Sequence, residues 1–183
     1  MPARIFLTLA LIISVILLSF TVAQGSSHLL PIKPKFDNLS PSAQKQVECL
    51  AENMYFESAY EPNEGKIAVA MVTINRVKSG LFEDNICGVV KQKTGHICQF
   101  SWWCETKLNH ISTNKVLTNG DNLVYNSIKE LATFVYVNYD KLADPSKGAL
   151  FYHADYVNPR WKGLEKTAVV GRHIFYVKQG IKI

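Results

Sequence analysis

Charged residues are scarce at the start of this chain of 183 residues. Residues 1–25 hold a single charge, Arg4, and the next charged residue is Lys33. From Ile5 to Ala23, fifteen of nineteen residues are apolar, and small residues follow. This pattern is typical of a secretory signal peptide, although an apolar run of this length could also span a bilayer as an uncleaved signal anchor. Either form places the rest of the chain outside the cytoplasm, in the periplasm or cell envelope, and argues against a cytosolic enzyme.

Several other patterns are missing as well. The sequence has no internal repeat, no low-complexity tract and no cluster of Lys and Arg of the kind that marks a nucleic-acid-binding stripe. It has no H-E-x-x-H motif, so we expect neither a metal site nor a cofactor. The composition is that of a globular protein, with 48% hydrophobic and 19% charged residues and a net charge of +5. We therefore expect a monomeric domain with no nucleic-acid partner.

Cysteine is also infrequent, with four residues in the chain. An even number of cysteines in an exported protein indicates disulfide bonds. Cys98 and Cys104 enclose only the short segment QFSWW, so we pair them and leave Cys49 to pair with Cys87. A zinc site is the alternative, but the spacing lacks paired C-x2-C motifs.

The pattern along the chain predicts an α+β domain. Residues 26–40 contain two prolines and no periodicity, which is typical of a linker, and we place one domain at 41–183. Helices are predicted from Ser40-Pro41, from Asn63 to about Lys78, and from Asp121 to Tyr139. Strands are predicted at 149–157 and, as a pair about Gly171-Arg172, at 166–178, giving a small antiparallel sheet.

One glutamate stands out on the first helix. Apolar residues recur on one stripe at Ala43, Val47, Leu50 and Met54, and Glu57 continues that stripe close to the helix end. A carboxyl group that points into an apolar face is poorly solvated, so its pKa should rise, and the helix dipole acts in the same direction. A raised pKa suits a general acid at neutral pH. The alternative is a glutamate that turns out to solvent.

The second helix ends in a polar pair. Asn75 and Arg76 interrupt an otherwise apolar segment. We expect Arg76 to pair with one of the three acids Glu57, Glu61 or Glu64, or else to form a solvated basic helix end.

Three blocks of sequence occur in a specific order. Residues 49–77 read CLAENMYFESAYEPNEGKIAVAMVTINRV, residues 87–103 contain CGVV and QFSWW, and residues 151–177 contain FYHADYVNPRW and GRHIFYV. Together they resemble the SleB-type spore-cortex-lytic cell wall hydrolases, a family that includes many phage endolysins. Its Y-x-E-A-R-G-E-P block keeps both glutamates here, but Ser58-Ala59-Tyr60 replaces A-R-G.

This resemblance implies a lysozyme-like fold related to the lytic transglycosylases. It implies cleavage of the β-1,4 bond between N-acetylmuramic acid and N-acetylglucosamine in peptidoglycan, with Glu57 as the catalytic acid. Such an enzyme can act with one carboxylate and form 1,6-anhydromuramic ends, while Glu61 and Glu64 are the nearby candidates for a second carboxylate. The matched blocks also supply candidates for substrate binding: Gln99, Ser101, Trp102, Tyr152, His153 and Asn158.

Two other functions stay open at this point. The first is a wall-active amidase or peptidase that uses Cys and His or zinc, which the commitment of the cysteines to disulfides argues against. The second is a non-catalytic peptidoglycan-binding module, since a fold does not guarantee activity. The N-terminal segment, if it stays uncleaved, would also tether the protein to the membrane.

Overall fold

The computed structural model describes residues 33–104, 119–181 and 183. The predicted signal or anchor segment at 1–25 lies outside the described residues, as do residues 26–32 of the predicted linker. Among the described helices, none combines the length and the apolar character needed to cross a bilayer.

All three predicted helices are present. Each start or end that the sequence predicted lies within two residues of the observed one. Two further short helices, which the sequence did not predict, lie between the second and third predicted helices. In chain order the helices are α1 (Pro41–Ser58), α2 (Asn63–Ser79), α3 (Ile86–Lys91), α4 (Ser101–Cys104) and α5 (Asn119–Asn138).

The predicted antiparallel sheet is also present and has three strands in the order β3-β5-β4. A separate two-stranded hairpin, which the sequence did not predict, lies between α3 and α4. In chain order the strands are β1 (Lys93–Thr94), β2 (Ile97–Cys98), β3 (Phe151–Ala154), β4 (Leu164–Val170) and β5 (His173–Lys178).

Local sequence determines where α1 begins. The Ser40 hydroxyl accepts a hydrogen bond from the backbone N–H of Ala43 at 3.3 Å, and Pro41 occupies the first helical position. Serine is a favoured N-cap, and proline costs nothing where the N–H has no helical partner. This start fixes the phase of the helix and therefore the direction of Glu57 near its end.

The core lies on both sides of α2. On one side, α1 and α5 bury apolar side chains such as Leu50, Met54 and Val135. On the other side, Val69 and Val72 of α2 pack with Phe175 of β5. A helix that packs against neighbours on two sides needs apolar residues around most of its circumference, as the segment from Ile67 to Val72 has.

The register of the sheet determines which side chains face the helices. Tyr152 pairs with Phe175, and Ala154 pairs with His173. Because side chains alternate between the two faces of a strand, Tyr152, Phe175 and His173 share one face. His153 points to the opposite face.

Both predicted disulfides are present and no cysteine is free. Cys49–Cys87 joins α1 to α3, and Cys98–Cys104 joins β2 to α4. A cysteine nucleophile is therefore not available while these bonds are intact.

The described end of the predicted linker belongs to the domain. Phe36–Asn38 forms a 3₁₀ turn, and both Phe36 and Leu39 pack against the core. The Lys129 ammonium group of α5 lies 3.5 Å from the centre of the Phe36 ring. The domain thus begins before residue 41, because two apolar residues and a cation–π contact hold this segment in place.

Candidate active site

Glu57 lies in the last turn of α1, partly buried between α2 and the three-stranded sheet. Burial raises the pKa of its carboxyl group, which is the direction that its place on the apolar stripe predicts. Tyr152 and Arg76 oppose this rise, Tyr152 through hydrogen bonding and Arg76 through its positive charge. The site thus keeps Glu57 in an environment that suits a proton donor.

Arg76 reaches this site from α2 as a buried residue, not as a solvated helix end. Only 5% of the residue is exposed. Its Nε–H donates to the carbonyl oxygen of Leu150 at 2.8 Å, and the guanidinium lies 5.0 and 5.1 Å from the ring centres of Phe82 and Phe100. Of the three predicted acidic partners, Glu57 is the one whose charge acts on Arg76.

Tyr152 contributes a hydroxyl group from β3. The group is buried and faces Glu57, although the contact lacks full hydrogen-bond geometry. Burial and the charge of Glu57 raise the pKa of Tyr152 well above its ordinary value. The hydroxyl therefore keeps its proton and can only approach Glu57 as a donor or as a neutral neighbour.

His173 stands behind Tyr152. The two rings meet edge to face with their centres 5.3 Å apart. Burial lowers the pKa of His173, while the nearby Glu61 raises it. The Nδ1 atom lies 4.0 Å from a carboxylate oxygen of Glu61.

The two candidates for a second carboxylate occupy different environments. Glu61 is turned toward the β4–β5 turn, where its Oε2 accepts the backbone N–H of Arg172 at 3.1 Å. Its own backbone carbonyl accepts a hydrogen bond from Lys66. Glu64 is exposed in the first turn of α2. Both residues are close to Glu57 in the sequence, but in the structure Glu61 links the loop after α1 to the β4–β5 turn.

Asn75 is a site-forming residue whose function the sequence did not reveal. Its side-chain amide donates to Asp144 at 2.9 Å and to the Ala149 carbonyl at 3.2 Å. Asp144 in turn accepts the backbone N–H groups of Ser146 and Gly148, both at 2.8 Å. This network fixes the loop before β3 onto α2, and so it sets the position of Tyr152. The interruption of an apolar helix by Asn75 was the available signal.

Trp102 differs from its predicted role as a substrate contact. The residue is 5% exposed, its ring stacks on Phe56 at 4.5 Å, and its indole N–H donates to Asn53 at 3.2 Å. Trp102 lies on the short helix α4, which turns its ring into the core. Trp103 is more exposed and lies under the Lys91 ammonium group.

The other predicted substrate contacts are dispersed. Gln99, Ser101 and Asn158 are exposed. His153 is fixed on the outer face of the sheet, where Nδ1–H donates to the Ala154 carbonyl at 2.9 Å and Nε2 accepts from the Tyr176 hydroxyl at 3.0 Å. Tyr152 is thus the one predicted binding residue that the structure brings to Glu57.

Metal ligands are not gathered in the described ranges. Residues 33–104, 119–181 and 183 contain no group of three or more His, Cys, Asp or Glu side chains arranged to hold an ion.

The structure is an α+β domain in which helices and a small antiparallel sheet enclose the partly buried Glu57. The sequence profile of the family described as Cell Wall Hydrolase matches residues 60–176, and the chain belongs to that family. The match begins three residues after Glu57 and therefore does not include that residue.

Individual relatives agree with this family. The chain is 26% identical over 135 residues to the spore cortex-lytic enzyme of Bacillus subtilis (strain 168), covering 73% of this chain and 38% of that protein. It is 42% identical over 48 residues to the spore cortex-lytic enzyme of Oceanobacillus iheyensis, covering 26% of this chain and 17% of that protein. The chain therefore spans less than half the length of these curated relatives.

A solved structure confirms the predicted fold class. The catalytic domain of the germination-specific lytic transglycosylase SleB from Bacillus anthracis superimposes with a TM-score of 0.54 at 24% identity, covering 77% of this chain and 98% of that domain. At this level of identity the similarity shows a shared fold.

Proposed function

We propose that this protein is an exported peptidoglycan-cleaving enzyme that acts as a lytic transglycosylase with Glu57 as its single catalytic acid and base. One observation carries the proposal: a carboxyl group with a raised pKa sits where three elements meet, in a chain of the cell wall hydrolase family. The bond cleaved would be the β-1,4 linkage between N-acetylmuramic acid and N-acetylglucosamine.

The chemistry needs only one carboxyl group. Protonated Glu57 gives its proton to the glycosidic oxygen as the bond to C1 of the muramic acid breaks, and positive charge develops on the sugar ring. The N-acetyl group of the substrate stabilises that charge. The Glu57 carboxylate then takes the proton of the C6 hydroxyl, whose oxygen bonds to C1 and closes the 1,6-anhydro ring. The proton returns to Glu57, so the residue is ready for another cycle.

The environments of the other acids support a one-carboxylate reaction. Most glycosidases that hydrolyse the bond use a second carboxylate, which activates water or attacks the sugar. Glu61 is occupied by the backbone N–H of Arg172, and Glu64 lies in solvent at the start of α2.

Substrate contacts complete the proposal. The exposed residues Gln99, Ser101 and Asn158 supply polar groups suited to sugar hydroxyls and N-acetyl groups. The apolar N-terminal segment supports export to the periplasm or cell envelope, either with cleavage or as a membrane tether.

Digestion of purified peptidoglycan tests the function directly. The full-length chain, Glu57→Gln and the exposed-acid control Glu165→Gln would be incubated with peptidoglycan, and the products identified by mass spectrometry. We expect anhydromuropeptides from the first and third proteins and none from Glu57→Gln. Reducing muramic ends would instead show hydrolysis, cleaved peptide or amide bonds would show a peptidase or amidase, and binding without products would show a non-catalytic module.

A further inference from the structure

Two buried polar groups beside Glu57 are left without hydrogen-bond partners. Within the described part of the chain, Nη1 of Arg76 and the hydroxyl oxygen of Tyr152 are shielded from solvent and make no hydrogen bond of full geometry. Leaving a buried donor unpaired costs free energy, and the cost is larger for a charged group. Unpaired donors that persist at a functional site point to a state of that site in which they are paired.

Arg76 is held in place by other contacts. The Nε–H of Arg76 donates to the Leu150 carbonyl, and Leu150 itself donates its backbone N–H to Tyr176 of β5 at 2.8 Å. The guanidinium is surrounded by the rings of Phe82, Phe100 and Phe151 at 5.0 to 5.9 Å from their centres. Arg76 therefore cannot swing out to water, and it is tied to the strand that carries Tyr152.

We propose that Arg76 and Tyr152 are a positioning pair that receives the Glu57 carboxylate after it has given up its proton. This inference rests on the proposed role of Glu57. While Glu57 is protonated, the two donors make no hydrogen bond to it. Once the proton has moved to the glycosidic oxygen, the new negative charge attracts the guanidinium and the hydroxyl. The pair stabilises the charged intermediate state of the acid and directs the same oxygen back to the C6 hydroxyl.

Few charged or titratable groups lie near Glu57, and they come from the elements that pack around it. Arg76 acts from α2 and Tyr152 from β3. His173 of β5 lies behind Tyr152, and Glu61, from the loop after α1, faces His173 rather than Glu57. Removing either member of the pair should therefore change the affinity of Glu57 for its proton directly.

The test is the pH dependence of muropeptide release by the full-length chain. Glu57 must be protonated to act as the acid, so the alkaline limb of the profile reports its pKa. Tyr152→Phe removes a donor to the carboxylate, and Arg76→Gln removes a positive charge. Each should move the alkaline limb upward by about one pH unit, while lowering the maximal rate about tenfold. Arg76→Lys keeps the charge and should restore the position of the limb.

Tyr176→Phe is the matched control. It removes a hydroxyl from the same sheet on the opposite face, where the group donates to His153 at 3.0 Å. Its alkaline limb should coincide with that of the unaltered protein. Reduced rates in Tyr152→Phe and Arg76→Gln with an unmoved alkaline limb would show a merely structural role and overturn the inference.

A second readout separates this inference from the proposed function. The carboxyl carbon of Glu57 would be titrated by ¹³C NMR, with its signal assigned by its absence in Glu57→Gln. An upward shift of the Glu57 pKa in Tyr152→Phe supports the positioning pair even if peptidoglycan is not cleaved. An unchanged Glu57 titration refutes the pair even if anhydromuropeptides are formed.

Discussion

The side chain of Glu61 accepts a hydrogen bond at 3.1 Å from the backbone N–H of Arg172, a residue 111 positions further along the chain. The contact joins the loop after α1 to the β4–β5 turn. Because Glu57 lies just before one of these segments, and His173 just after the other, the link helps to hold the acid against the sheet. Glu61 thereby has a structural task that its position in the sequence did not disclose.

Glu61→Gln tests that task against a role as a second carboxylate. Glutamine keeps a carbonyl oxygen that can accept the Arg172 N–H but cannot act as a base. We expect Glu61→Gln to keep at least half of the rate of muropeptide release, and Glu61→Ala to lose about 1 to 3 kcal/mol of stability together with most of the activity. A loss of about a hundredfold in Glu61→Gln with an unchanged melting temperature would instead identify Glu61 as a catalytic base.

Gly171→Ala should be damaging for a reason beyond its backbone conformation. Gly171 has φ of +56°, and an added Cβ would lie 1.8 Å from Oε2 of Glu61. Gly163 is the matched control, with φ of +71° and open space around the added atom. Gly163→Ala should cost about 1 to 2 kcal/mol from the left-handed backbone alone, and Gly171→Ala more. If chemical denaturation shows equal losses of unfolding free energy in the two variants, the Glu61 side chain moves away from the added Cβ without an energetic penalty.

Glu57→Gln should become more stable relative to the unaltered protein as pH rises. The pKa of Glu57 is raised by burial, so the folded state holds this proton more tightly than the unfolded state. Its contribution to stability is complete below the ordinary carboxyl pKa and is lost as pH rises through the raised value. The melting temperature of Glu57→Gln should therefore rise relative to that of the unaltered protein as the pH increases. The melting temperature of the exposed control Glu165→Gln should change with pH in the same way as that of the unaltered protein. A pH-dependent difference in both variants would contradict the prediction.

The two disulfides should differ in their contribution to stability. The bond Cys49–Cys87 closes a segment of 38 residues, and Cys98–Cys104 closes one of 6. The chain-entropy relation assigns them about 4 and about 2 kcal/mol. Denaturation of the paired-alanine variants Cys49→Ala/Cys87→Ala and Cys98→Ala/Cys104→Ala measures the two values. The reverse order would show that native-state contacts outweigh loop length.

The helices and the sheet could be predicted because local signals agreed with the fold. Ser40-Pro41 begins α1, Gly80 ends α2 in the left-handed conformation, and Gly171 marks the turn between β4 and β5. The phase of α1 also identified Glu57. Each of these depends on residues close in sequence, where spacing maps directly onto direction.

Arg76 was expected beside one of three acids that include Glu57, but the approach of Tyr152 to Glu57 could not be predicted in the same way. Tyr152 comes from a strand 95 positions away, and nothing in its local pattern tells which face of the sheet packs on α2. The burial of Trp102 was not evident from the sequence either, because the short helix α4 turns its ring inward onto Phe56. Such pairings are decided by tertiary packing and not by the local sequence.

The distance in sequence between Glu57 and Tyr152 has a consequence for how activity appears during folding. A chain whose helices have formed, but whose C-terminal strands have not docked, carries an acid open to water with an ordinary proton affinity. On the proposed role of Glu57, we expect catalytic competence to arise only after the C-terminal strand that carries Tyr152 has docked. C-terminally truncated chains should therefore release no muropeptides from peptidoglycan, whether or not their helices have formed.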